Sequence, residues 1–127
     1  MKIWIDPAFP AHLRSALKTY ARAGRPAIEE ITKTRSGDLI VHAMTPSEVK
    51  TEIYAPEGGG AGYYDTDTGR LAVNPRLDTW RAIEVLCEEW IHQQRPEWSE
   101  TKVRGSAVPA ALRATLGRRR LPRRPGP

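Results

Sequence analysis

Residues 77–100, LDTWRAIEVLCEEWIHQQRPEWSE, read as one long amphipathic helix, a proline stop and the start of a second helix. Trp80, Ile83, Leu86, Cys87, Trp90 and Ile91 recur at spacings of three and four, which gives a wide apolar stripe. Glu84, Glu88 and His92 form a row along the border of that stripe, a placement that suits a half-buried site facing a cleft. Glu88 and His92 lie one turn apart on one face. Glu89 projects about 100° further around the axis. Two ligand-capable side chains one turn apart, with a carboxylate beside them, offer a metal ion and a general base to one reacting water. The same Glu/His spacing also occurs on solvated helix faces, where it adds only about 0.2–0.5 kcal/mol. Asp78 or Thr79 can cap this helix, and Gln93 to Pro96 ends it. Ser99 then caps a second helix, with Glu100 in its first turn. That helix is expected to run to about Arg119, broken or kinked at Gly105 and Pro109.

Working outward toward the N-terminus, Tyr63–Asp65 and Arg70–Asn74 flank Thr66-Asp67-Thr68-Gly69, a hairpin turn in which Gly69 supplies φ > 0. Asp65 and Asp67 have faint calcium-loop spacing, but the bidentate Glu of such a loop is missing, so turn chemistry accounts for them. Gly58 to Gly62 (GGGAG) is a flexible loop. No helix start and no Gly-Lys-Ser/Thr follows it, so it is not read as a phosphate cradle. Ile53–Ala55 is a short extended piece, and Thr45-Pro46 can start one helical turn. Leu39–Met44 (LIVHAM) is a strand rich in branched residues. Ala27–Lys33 reads as a weak strand. Before it, Pro10–Ala23 reads as a helix buried along Leu13, Ala16, Leu17, Tyr20 and Ala21, ended by Gly24 with Pro26 beyond. Lys2–Ile5 (KIWI) is a β-type run closed by Asp6-Pro7, a strand and turn rather than a signal peptide. His12 and His42 are isolated, with ligand spacing to nothing.

The chain of 127 residues favours a single domain over residues 1–117, followed by a basic Arg/Pro-rich tail over 118–127. Six Arg and no acid fall within residues 113–127, so the net +5 comes from this end, and 14 basic residues face 15 acidic ones elsewhere. Arg118, Arg119, Arg120, Arg123 and Arg124 can touch nucleic acid, membrane or an acidic partner, or simply stay solvated. No aromatic residue is interleaved with them, so base stacking has no support. No apolar run reaches the roughly 18 residues that span a bilayer. Cys87 is the single cysteine and has no internal disulfide partner, which makes a reducing cytoplasm the default expectation. Helices and strands together, with a hairpin just before the main helix, give an α+β class: a small mixed sheet with packed helices.

The segment IEVLCEEWIHQ resembles the metal helix of the zincin metallopeptidases, whose signature is His-Glu-x-x-His. GYYDTDTGRLAVNPRLDTWRA before it is similar to the hairpin and lead-in of short gluzincin-type proteins. RPEWSETKV after it resembles a segment of small, often phage-encoded metallopeptidase-like proteins. The likeness covers residues 58–116, nearly half of the chain. It implies a zincin-like fold with an N-terminal helix, a central metal-site helix and a C-terminal helix. Residue by residue, it makes His92 the second His ligand, Glu89 the catalytic acid–base and Glu100 the downstream acidic ligand. Tyr63 and Tyr64 would flank a cleft for a peptide or protein substrate.

The first His of the motif is Glu88 here. Carboxylate is a legitimate zinc ligand, but two carboxylates and one imidazole make a harder, more anionic set that also suits manganese, iron or magnesium. The implied activity is metal-dependent hydrolysis of peptide bonds. The alternatives are a catalytically dead binding protein of the same fold and a nucleic-acid accessory protein working through the tail. Glu88, Glu89 and Glu100 together would repel one another without a cation, which calls for a bound ion or for Arg81 or Arg95 folded over them.

Overall fold

Four short strands form one sheet in the computed structural model, which describes residues 1–51 and 60–116. They are β1 (Ile3–Ile5), β2 (Leu39–Ala43), β3 (Gly62–Tyr64) and β4 (Leu71–Val73), in the order β1-β2-β4-β3. β1 and β2 pair in parallel with Ile3 opposite Leu39, and β2 and β4 pair in parallel with His42 opposite Ala72. β3 is antiparallel to β4, with Tyr63 opposite Ala72, and closes the sheet as an edge strand among the described residues. The class is therefore α+β with a small mixed sheet. The expected extended piece at Ile53–Ala55 and the Arg tail lie outside the described residues.

The hairpin forms where its turn residues direct. Asp65 accepts from the Asp67 N–H, and Gly69 adopts φ 75°. Asp6 fixes the other end of the sheet: one carboxylate oxygen accepts from the Ala8 N–H and the other from the Ala43 N–H, both at 2.9 Å. After β2, α2 (Pro46–Thr51) makes the short helix that Thr45-Pro46 announced.

Helix α1 (Ala11–Thr32) corrects the sequence reading, which ended it at Gly24 and placed a strand over Ala27–Lys33. The three-and-four spacing continues without a break through Leu13, Leu17, Tyr20, Ala21, Gly24, Ala27, Ile28 and Thr32, all buried. Gly24 is a packing residue rather than a cap. A Cβ there would lie 2.8 Å from the Tyr20 ring. Pro26 forgoes one backbone hydrogen bond, and burial of the continuing face outweighs that loss. The helix ends at Lys33, in the left-handed region at φ 56°, whose N–H reaches the Glu29 carbonyl.

Helix α3 (Thr79–Gln94) is the centre of the molecule. Asp78 caps it, accepting from the Arg81 N–H at 2.9 Å. It packs against α1, β3, β4 and the C-terminal helix α5 (Val108–Leu116). Ala82 and Val85 are buried along with the predicted apolar stripe, and so are Glu88 and Glu89. Each large apolar side chain buried here contributes about 1.5–3 kcal/mol. Two hydrogen bonds tie the end of α3 to the end of α1. Thr34 donates to Gln94 at 2.9 Å, and Arg95 Nε donates to the Thr32 carbonyl at 2.7 Å. The last turn of α3, which carries His92, is thus held in place from outside the helix. Among the described residues no helix is long and apolar enough to cross a membrane.

Candidate metal centre

The chain must reverse after α3 to bring a third side chain back to His92, and residues 95–99 do this with local contacts. Pro96 stops the helix, and Trp98 donates its N–H to the Arg95 carbonyl. The Trp98 ring has Lys102 Nζ at 3.9 Å and Arg95 Cζ at 5.9 Å from its centre, so two cations stack on it and hold the turn. Ser99 accepts from the Lys102 N–H at 3.1 Å and caps α4 (Glu100–Lys102). The first residue of that short helix, Glu100, faces back toward α3. His92 Nε2 and Glu100 Oε1 are 2.8 Å apart.

A five-residue π-helical turn, Val103–Ala107, connects α4 to α5. The expected break at Gly105 and Pro109 takes this form. Pro109 has no N–H for the Gly105 carbonyl, and the Val108 N–H reaches Val103 instead. Val103 and Ala107 enter the core while Arg104 faces the site. Its Nε lies 3.1 Å from Glu88 Oε1 and 3.0 Å from Glu100 Oε2.

These groups sit in a cleft of about 440 Å³ between β3 and the ends of α3 and α4. Gly62 makes the cleft wall possible. A Cβ at that position would meet Val85 Cγ1 at 2.4 Å and the Ala72 carbonyl at 2.8 Å, so only glycine lets β3 run this close to α3. Glu89 Cγ would be 3.6 Å from the same point, which sets Glu89 directly beneath the strand. Tyr63 and Tyr64 both border the cleft, but they divide their roles. The Tyr63 hydroxyl donates to Glu48 and accepts from Arg70, and its ring packs with Met44 and Ala72 in a separate cluster. Tyr64 packs against the main core.

Glu88, His92 and Glu100 each offer a ligand atom, and these atoms all lie within 4.8 Å of one another. Metal–ligand bonds of about 2.0–2.2 Å place the ligand atoms of a tetrahedral site about 3.3 Å apart, a difference that small carboxylate rotations cover. The buried His92 Nε2 has no aligned hydrogen bond; its approach to Glu100 meets the distance of one but not the geometry. A buried imidazole nitrogen set against two carboxylates without an aligned hydrogen bond is what a divalent ion would satisfy. The donor set fits such an ion, and its two carboxylates make manganese or iron as suitable as zinc.

Glu89 is buried beside this group. Burial, the neighbouring Glu88 carboxylate and a hydrogen bond to it push Glu89 up to about 9, opposed by Arg104. These surroundings favour its protonated form over the carboxylate. The Glu88 carboxylate foremost, and its hydrogen bond, make Arg104 still more basic than an ordinary guanidinium.

All four α3 and α4 residues chosen from the sequence thus come together. The cation over them is neither Arg81, which pairs with Glu84, nor Arg95, which pairs with Glu97. It is Arg104, whose i,i+4 spacing from Glu100 was the one available signal. Arg118, Arg119, Arg120, Arg123 and Arg124 lie outside the described residues. Comparison of the chain with protein-family models, with curated proteins and with solved structures gives no match.

Proposed function

We propose that the chain is a zincin-like, metal-dependent peptidase in which Glu88, His92 and Glu100 hold a divalent ion and Glu89 moves the proton. The buried His92 Nε2, 2.8 Å from Glu100 Oε1 without an aligned hydrogen bond and grouped with a Glu88 oxygen within 4.8 Å, carries this reading. The order of edge strand, partner strand and ligand-bearing helix supports it.

When bound, a divalent ion supplies a Lewis acid for the scissile carbonyl and cancels the charge of Glu88 and Glu100. Relieved of that charge, Glu89 takes a proton from the attacking water as the C–O bond forms. It passes the proton to the amine nitrogen as the C–N bond breaks, leaving a new carboxyl end and a new amine end. An extended peptide would run along the rim of Gly62 and Tyr64 beside β3.

Arg104 favours a second reading. Its guanidinium already balances Glu88 and Glu100, so the same cleft would serve a peptide-binding module that needs no metal. Elemental analysis of the purified, untagged chain separates the two. The peptidase reading expects near one equivalent of metal, lost in His92→Ala, with Glu89→Gln keeping the metal and losing cleavage. No metal in the wild type after incubation with zinc and manganese would overturn it.

A further inference from the structure

Arg104 is the one Lys or Arg among the described residues that line the cleft. Its side chain is 62% exposed, while the Glu88 side chain it touches is 11% exposed, so the guanidinium spans from the buried Glu88 carboxylate to the exposed Glu100 carboxylate and open solvent. The two carboxylates that hold it are those assigned to the ion. A divalent ion on Glu88 and Glu100 takes over their charge and leaves the guanidinium unbalanced at the wall of the cleft. A planar guanidinium in that state is best satisfied by another carboxylate, which it binds through two parallel N–H donors. The π-helical turn strengthens the case for a role at the site. That helix type is rare and recurs at functional positions, and here it puts Arg104 into the cleft while Val103 and Ala107 stay in the core.

We propose that Arg104 is the specificity residue of this cleft, pairing with a carboxylate of the peptide once Glu88 and Glu100 hold a divalent ion. The proposal rests on the metal-centre reading. The carboxylate is either the chain terminus or an acidic side chain near the scissile bond.

Titration calorimetry on the full chain in a Glu89→Gln background, which keeps peptides intact, tests this. Zinc is added first. An alanine-rich hexapeptide with a free C-terminus, its C-terminal amide, and an amidated version carrying one internal Glu follow. The zinc-loaded parent is expected to bind at least one carboxylate-bearing peptide about tenfold or more tightly than the neutral amide, as befits a charge-assisted pair. Preference for the free terminus identifies the chain end, and preference for internal Glu identifies a side chain. Arg104→Gln should abolish the preference and also tighten zinc binding, because the competing guanidinium is gone, while Arg104→Lys should retain part of the preference. Zinc uptake without any carboxylate preference, or a preference that survives Arg104→Gln, overturns the inference and leaves the metal centre standing. Failure of both the parent and Arg104→Gln to take up zinc overturns the metal centre and the inference with it.

Discussion

Gly62→Ala is the most direct probe of how the cleft is built. The added methyl carbon would stand 2.4 Å from Val85 Cγ1 and 2.8 Å from the Ala72 carbonyl oxygen. Neither neighbour yields easily. Val85 is buried on α3, and the Ala72 carbonyl belongs to β4, which pairs with β2 on one side and β3 on the other. Relief therefore requires β3 to move away from α3. Overpacking of this kind costs about 2–3 kcal/mol. For a chain of this size that lowers the melting temperature by roughly 10 °C. Gly105→Ala is the internal control, because nothing lies within 4 Å of its Cβ position. It is expected to be neutral or to stabilise by about 0.5–1 kcal/mol through reduced chain entropy. Urea denaturation of both variants gives the answer. The midpoint of Gly62→Ala should fall with an unchanged slope, while that of Gly105→Ala should hold or rise. A Gly62→Ala protein within about 0.5 kcal/mol of wild type would refute the close strand–helix approach on which the cleft wall depends.

Two further outcomes concern pH. Glu89 is raised from the ordinary 4.5 to about 9, so between those values the metal-free native state keeps a proton that the unfolded chain has released. Stability should fall as pH rises through that window, and Glu89→Gln should remove the slope. Parallel denaturation profiles for the two proteins would refute the burial of an acid at this site. Glu48 behaves in the opposite sense. Burial works against its charge, but the Thr45 N–H, the Tyr63 hydroxyl and Arg70 outweigh it and hold the carboxyl at about 2. Its contribution is present in full above 4.5 and is lost as pH falls toward 2. Melting curves at pH 6 and pH 3 should show wild type losing more stability than Glu48→Gln.

Much of the fold is local in origin and was legible for that reason. Asp78 and Ser99 cap because their side chains reach N–H groups three residues on, and Gly69 turns because it alone tolerates φ 75° at no cost. The three-and-four spacing on α3 placed Glu88 and His92 on one face. The same rule, followed past Gly24 and Pro26, would have carried α1 to Thr32. Reading those two residues as punctuation hid a continuous buried stripe, because local propensity yields when a whole face is packed against the core.

The sequence by itself determined the chemistry on offer: an imidazole, three carboxylates and the turn that returns Glu100 toward α3. Tertiary structure decided which cation answers those carboxylates. Arg81 and Arg95 sit closer in sequence to Glu88 than Arg104 does, yet their own neighbours occupy them, and a π-helical turn beyond Glu100 delivers Arg104 instead. It also decided that Glu89 holds its proton more tightly than an ordinary carboxyl group. That change needs β3 pressed over α3 at Gly62, a contact between segments more than twenty residues apart, and no spacing along the chain encodes it. Charge type is a property of the residue; desolvation and charge pairing are properties of what the fold brings within a few ångströms of it.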